Sequence, residues 1–565
     1  MVWVTTGYID PLPATSKTIN LDLSTEATIV NPWIRYVPEG TQPVAYNMYC
    51  NNKKGSNFCM YRYRYSSNYS TILTSQTLSF SPNTTFNYTS TTTEVFALPW
   101  ITRSAFENAG TTNRYDQVYF YDCVFNTGTG ATVVPEYGEG CAIVKDINSS
   151  GTNKNIQSIQ LENYYGDVNG YYDTDTSIHT SSYNPDIPYF NKELLIGNEE
   201  ITFKDENEPK KTTLSYNPTT KELATGSWKE VARYTVKSSG ALSPQFADRG
   251  FMEVDVPKKK FYMVLLHIKG KEKDFIANGD FDTEMIFNND PSTRYYNRYT
   301  TNHGAYATSN DGGIKIITKS VANADSEFAV IHIYNPDTPE GHHLVMSQAV
   351  REAGSGVATA PDGHIGGGNW KAPGEYIEKI SVRVVPINSD YSFAVGSEMV
   401  VLGYDPSDVH SSSDNFWQKL GEGTASGSSL SVSFTPKKYL MIRTATRNTN
   451  NINTTTTFNN DTNSNYTFSQ WTNNAFTDSL TQSNILNALD YAAVGNQHAA
   501  GIGFMVNSDD KPKLMISQVP SFDNSNSQRQ RDTYSKWDTS TQASSIQITA
   551  PGSYVGGKIT VWGHD

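Results

Sequence analysis

The sequence predicts an all-β protein, an N-terminal β-rich domain followed by two tandem antiparallel β-sandwich domains of jelly-roll type. Three observations predict it. One series of landmarks is written twice, apolar residues alternate or fall in short blocks, and in the N-terminal third no sustained 3.6-residue pattern competes with the alternation.

The doubled series starts at Val256-Pro257-Lys258-Lys259-Lys260-Phe261, which returns as Thr435-Pro436-Lys437-Lys438-Tyr439. Phe287-Asn288-Asn289-Asp290 returns as Phe458-Asn459-Asn460-Asp461, and Leu344 to Gln348 returns as Leu514 to Gln518. Trp370 answers Trp537, and closing strands end at Gly403 and Gly563. The order is fixed while the offset shrinks, as expected of one framework carrying loops of different length.

Taken in order, residues 1–190 are dense in Tyr, Thr, Ser and Asn and carry period-2 runs such as Gln117 to Phe125, which read as strands of a β-rich anchoring and assembly domain. Residues 191–226 form a connector in which Asn217-Pro218 separates two short strands of a hairpin. Residues 227–405 are the first repeat. Phe261 to Ile268 is a continuous apolar strand, Glu327 to Tyr334 and Ile377 to Val385 follow, and Gly363 to Gly368 reads as a glycine-rich loop. Residues 406–565 are the second repeat. Its Asn448 to Asn465 stretch, too polar for core, reads as an exposed loop or a low-complexity surface segment, and Leu480, Ile485, Leu486 and Leu489 are spaced for one face of a helix over Ser479 to Val494.

A chain of 565 residues exceeds one core, and roughly 150 residues per domain suggests three to four units. Charged residues are 18% and aromatic residues 12%, a balance that suits half-buried strands joined by polar loops. The formal net charge is −13, and no basic run exceeds Lys258 to Lys260, so nucleic acid is excluded as an expected partner. No stretch approaches the ~18 apolar residues of a membrane span, and Met1 to Gly7 lacks the pattern of a signal peptide. The four cysteines, Cys50, Cys59, Cys123 and Cys141, admit three pairings or buried thiols, and thiols are the plainer expectation.

No catalytic motif is present: there is no Gly-x-Ser-x-Gly elbow, no His-Glu-x-x-His and no phosphate loop. A non-enzymatic protein without a cofactor is expected. Six of the ten histidines, His267, His303, His332, His342, His343 and His364, fall in the first repeat. Imidazoles gathered where symmetry-related chains meet would hold a metal. Without ligand spacing, surface rings are the ordinary reading, and the metal is left unknown. Asp280 to Glu284 and Asp167 to Asp175 gather carboxylates suited to calcium, in an order that matches no calcium loop. Trp370 and Trp537 read as core plugs rather than sugar platforms. Tyr295, Tyr296, Tyr299 and Tyr306 mix with Asn and Arg in a loop, the composition of an adaptable binding face. Glycosylation triplets stand at Asn68, Asn83, Asn87, Asn148, Asn453, Asn460 and Asn465, as an Asn/Ser/Thr-rich chain produces by chance.

The doubled strand series, the Phe-Asn-Asn-Asp segment and the Leu214 to Leu223 hairpin resemble the sandwich modules and connectors of tailed-phage fibre and head-appendage proteins. That resemblance implies a virion structural protein, a fibre, spike or decoration protein on the outer surface of a capsid or tail. It implies attachment to other virion proteins through the N-terminal domain, outward modules that bind a host-surface glycan or protein, and a homotrimer. The alternative class is a microbial cell-surface adhesin or carbohydrate-binding glycoprotein, located extracellularly.

Overall fold

A computed structural model gives the fold. Of residues 1–227 it describes the strands and not the segments between them. From 228 onward it describes all but 238–250, 274–280, 305–306, 311, 321–325, 337–341, 373, 386–390, 406–407, 409–413, 449–452, 473–474, 491–496, 511 and 523–527. The described residues form antiparallel strands throughout and no α-helix.

Three large sheets, each of eight strands, follow one another along the chain. From edge to edge, the first runs Trp3–Ile9, Ser177–Tyr183, Ile29–Tyr36, Thr92–Arg103, Gln117–Thr127, Val134–Val144, Phe58–Arg64 and Ser70–Leu73. The second runs Lys229–Thr235, Glu398–Tyr404, Phe261–Ile268, Glu327–Tyr334, His343–Arg351, Asp362–Trp370, Tyr295–Thr301 and Ala307–Ser309. The third runs Gln418–Thr424, Tyr554–His564, Tyr439–Asn448, Gln497–Val506, Lys513–Phe522, Gln528–Trp537, Tyr466–Thr472 and Ala475–Gln482. In each sheet the opening strand of the unit lies at one edge, the closing strand sits beside it, and a hairpin forms the far edge. The sequence announces two copies of this order, and the fold contains three.

Each unit also has a smaller sheet. Thr18–Ala27, Ile156–Asn163 and Tyr46–Cys50 belong to the first, and Phe251–Asp255, Lys379–Val385, Phe281–Phe287 and Ile314–Ser320 to the second. Ser429–Ser433, Ser545–Thr549, Thr455–Phe458 and Ile485–Leu486 belong to the third. Between units one and two, Ile201–Lys204, Lys211–Asn217 and Glu222–Ala224 make a three-stranded antiparallel piece, with the Asn217-Pro218 hairpin inside it.

The continuous apolar strand Phe261–Ile268 has a simple cause: both its faces are buried. Tyr262, Val264, Leu266 and Ile268 join Met285, Phe287, Ile380 and Val382 of the smaller sheet in one cluster. Phe261, Met263 and Leu265 point the other way, into a cluster that all three units share. Trp33, Phe96 and Trp100 enter that cluster from the first unit, and Tyr439, Phe504 and Trp562 from the third. The fifth strands of the three large sheets pack on one another. Val134–Val144 lies against Tyr295–Thr301, and Gln528–Trp537 against Phe58–Arg64. Ser469 and Thr467 of the third unit donate to the carbonyls of Pro361 and Thr359 of the second, at 2.6 and 3.4 Å. At two junctions sixth strand meets seventh strand, and at the third the segment leading into the sixth strand meets the seventh, so the contacts run in one sense around a three-fold arrangement.

Three expectations are corrected. Gly363 to Gly368 is not a loop but the middle of the strand Asp362–Trp370, because its glycines admit neighbours that a Cβ would strike. The helix expected over Ser479 to Val494 does not form in its described part, 479–490: Thr481 and Asn487 are left-handed, at φ 51° and 52°, and the segment contributes to Ala475–Gln482 and Ile485–Leu486. Asn448 to Asn465 is not a polar loop throughout, since Thr454 and Thr456 are buried, and Thr454 hydrogen-bonds to the Asp490 carbonyl at 2.5 Å.

Candidate functional site

The repeated Phe-Asn-Asn-Asp segment is a structural lock. Asn288 and Asn289 stand at φ 50° and 54°, Asn459 and Asn460 at 52° and 54°, as a tight primed turn requires. Asp290 then accepts the indole N–H of Trp370 at 2.9 Å, and Asp461 that of Trp537 at 2.8 Å. Both tryptophans are buried, with Tyr295 stacked on one and Tyr466 on the other at 6.1 Å. The sequence reading of both as core plugs agrees with this.

The tyrosine cluster divides. Tyr295 is buried, and its hydroxyl accepts the Phe287 N–H at 2.8 Å, which removes it from any binding surface. Strand alternation is the reason: Tyr295 faces the core and Tyr296 does not. Tyr296 and Tyr299 are half-buried on the strand Tyr295–Thr301, and Tyr306 lies outside the described residues. The Asn465 side chain donates to Asp461 at 2.9 Å, and Asn453 accepts from Asn487 at 2.8 Å.

Five of the six histidines are not surface rings, and His342 is half-buried. His267, His343 and His364 are buried, and burial holds the His267, His303 and His332 rings down at about 3, so they are neutral. Asp282 pairs with Lys315 at 2.5 Å and Glu284 with Arg383 at 2.9 Å, so neither carboxylate is left for calcium. Asp167 to Asp175 and Asp280 lie outside the described residues. Cys123 and Cys141 are buried thiols, and the Cys50 and Cys59 side chains are likewise outside the described set.

Where the fifth and sixth strands of the three sheets meet, polar side chains interrupt the shared apolar core. Asp122 accepts a hydrogen bond from each unit: Tyr137 at 2.5 Å, Gln348 at 3.3 Å and Gln518 at 3.4 Å. Gln348 and Gln518 are the repeated Ser-Gln positions, and Asp122 stands at the same place in the first sheet. In register across the sixth strands, Asp122 faces Glu139 and Gln518 faces Asp532, whereas Gln348 faces Ile365. Burial pushes the Asp122 carboxyl up to about 6 against its Tyr137 and Gln518 hydrogen bonds. Burial and the Asp122 charge push Asp532 well above the carboxylate range.

His303 reaches this point from the turn after Tyr295–Thr301. Its ring stacks on Trp471 at 4.5 Å, and Nε2 lies 3.6 Å from Asp532 Oδ2 and 3.4 Å from the Tyr534 hydroxyl. Glu139, His303 and Asp532 each offer a donor atom within 4.8 Å of the others. Sequence reasoning passed over Asp122, Glu139 and Asp532. The available signal was phase: Tyr137, Glu139 and Cys141 alternate on one face, as do Asp532 and Tyr534, so the carboxylates fall in step with core residues.

No family model matches the chain, and no curated protein does. Among solved structures, OpdQ of Pseudomonas aeruginosa aligns over 94% of this chain and 96% of its own at 7% identity, with a TM-score of 0.12. OccAB3 of Acinetobacter baumannii aligns over 94% and 98% at 9% identity, with a TM-score of 0.10. The outer membrane channel DcaP of the same organism aligns over 98% and 100% at 8% identity, with a TM-score of 0.08. Scores this low carry no argument. No helix among the described residues is long and apolar enough to cross a membrane.

Proposed function

We propose that the chain is a non-enzymatic structural protein of a phage-like virion, a capsid- or tail-attached fibre, spike or decoration protein with outward binding surfaces. The observation that carries this reading is three sheets of one strand order closing on a shared core within a single chain. That is the arrangement three copies of a one-domain appendage would build, here made covalent. Each large sheet with its smaller partner is read as one jelly-roll sandwich, supported in the second and third units by clusters that draw on both sheets. The first unit is assigned contact with other virion proteins, and the outer faces of the other two contact with a host-surface glycan or protein.

Mass spectrometry of purified particles tests the assignment, and absence of the chain from them would sink it. Sedimentation tests the assembly: a species of 62.7 kDa is expected if the internal three-fold stands in for a trimer, and three times that mass would restore the homotrimer. The adhesin reading requires sugar at Asn453, Asn460 or Asn465. The hydrogen bond that the Asn465 side-chain nitrogen donates to Asp461 argues against sugar at that position, and an intact mass equal to that of the bare chain is the expected result.

A further inference from the structure

The three donors at the three-way junction come from three different units: Glu139 from the first, His303 from the second and Asp532 from the third. We propose that they bind one divalent first-row transition-metal ion, Zn2+ foremost, which clasps the three units at their common core.

Four observations carry this. The first is spacing. Metal–ligand bonds of about 2.0–2.2 Å place tetrahedral donors roughly 3.3–3.6 Å apart. His303 Nε2 and Asp532 Oδ2 are already at 3.6 Å, and no pair in the trio exceeds 4.8 Å, so closure asks about 1 Å of side-chain movement. The second is burial: Glu139 and the His303 side chain are 0% and 1% exposed, and Asp532 is 2% exposed. The third is the place of Asp532 Oδ2, which is buried, turned toward His303 and given no N–H donor, the Glu139 carboxyl being the group it meets. A carboxylate oxygen in that position costs free energy unless a proton or cation satisfies it. The fourth is preorganisation: the Trp471 stack and the left-handed backbone at φ 51° fix the His303 ring with Nε2 toward the carboxylates.

The donor set selects the ion. One imidazole with two carboxylates suits Zn2+, Mn2+ or Fe2+, while calcium requires six to eight oxygens that the junction does not supply. Three protein ligands leave one position of a tetrahedron for water, beside the Tyr534 hydroxyl. The rival occupant of the same space is a proton shared between Asp532 and Glu139, and the experiment separates the two.

The full chain, stripped with chelator, is dialysed against Zn2+ or Ca2+, and bound metal is measured by elemental mass spectrometry beside thermal unfolding. One Zn2+ per chain, no Ca2+, and a rise in Tm with Zn2+ are expected. Asp532→Asn and Glu139→Gln keep shape and are expected to weaken Zn2+ by more than the roughly 10–100-fold typical of an outer-shell partner. Metal-free Asp532→Asn is expected to melt no lower than the metal-free parent, since the amide keeps the shape of a carboxyl whose charged form burial already disfavours, yet to lose the Zn2+ response. Co2+ is expected to quench Trp471 fluorescence in the parent and not in His303→Gln. A parent chain that retains no Zn2+ overturns the proposal and leaves the shared proton. Zn2+ binding undisturbed by all three substitutions overturns it as well, by placing the ion elsewhere.

Discussion

Asn459 and Asn460 share a left-handed backbone and differ in what their side chains do. The Asn459 side-chain oxygen accepts the Ser544 and Ser545 N–H groups at 2.8 and 3.1 Å, and its nitrogen donates to the Gln542 carbonyl at 2.8 Å. Asn460 is exposed and contributes chiefly a backbone that tolerates φ 54°. Glycine keeps that backbone at both places and keeps the side-chain bonds at neither. Asn460→Gly is therefore expected to change stability by less than about 0.5 kcal/mol. Asn459→Gly is expected to cost about 2–3 kcal/mol by stranding two backbone donors. Urea denaturation of the two variants checks this, and equal losses would refute it. The sequence displayed these residues as a repeated landmark. It did not display the lock, because the partners Gln542 to Ser545 lie far along the chain and only the fold brings them to Asn459.

At the scale of elements, alternation and apolar runs made most strands of the two repeats legible, and glycine misled. Gly363 reads as part of a loop, yet it is the second residue of the strand Asp362–Trp370, where an added Cβ would lie 2.1 Å from the Tyr534 ring of the third unit. Gly367 likewise meets Val124 of the first unit at 3.0 Å. Local sequence cannot tell a glycine that permits a turn from one that permits another sheet to approach. Gly363→Ala is expected to lower stability by about 3 kcal/mol through overpacking. Gly363→Ala combined with Tyr534→Ala is expected to lose less than the sum of the two single changes. Additive losses in thermal or chemical unfolding would show that the strand, not the contact, needs the glycine. The misread helix has a related cause: Leu480, Ile485, Leu486 and Leu489 fit a helical face by spacing, but Thr481 and Asn487 turn left-handed and return the segment to the sheets.

The whole molecule was least legible, since its third copy keeps strand order without keeping landmarks. In sequence alone, Asn51-Asn52 after Cys50 matches the repeated Asn-Asn pair, and the match is too short to stand alone. Three-fold closure is carried instead by side chains that link units, and Glu398 is the clearest of them. It sits on the strand beside the second sheet's edge and accepts from Lys438 at 2.8 Å and from the Tyr439 hydroxyl at 2.9 Å, both of the third unit, and from Arg233 at 3.0 Å. Burial alone would raise its carboxyl, but Lys438, Arg233 and Tyr439 outweigh burial and hold it at about 2 rather than 4.5. A carboxyl depressed in the folded state stabilises the fold fully above its unfolded pKa, and that stability is lost as pH falls from about 4.5 toward 2. With about 1.4 kcal/mol per pKa unit, the contribution is on the order of 3 kcal/mol. Glu398→Gln is therefore expected to be less stable than the parent at pH 7, with the gap narrowing steadily below pH 4.5. Other paired carboxylates, such as Asp510 with Lys269, titrate in both proteins and cancel in the difference. Stability curves of parent and variant that stay parallel from pH 7 to pH 3 would mean that Glu398 does not hold the second and third units together through its charge.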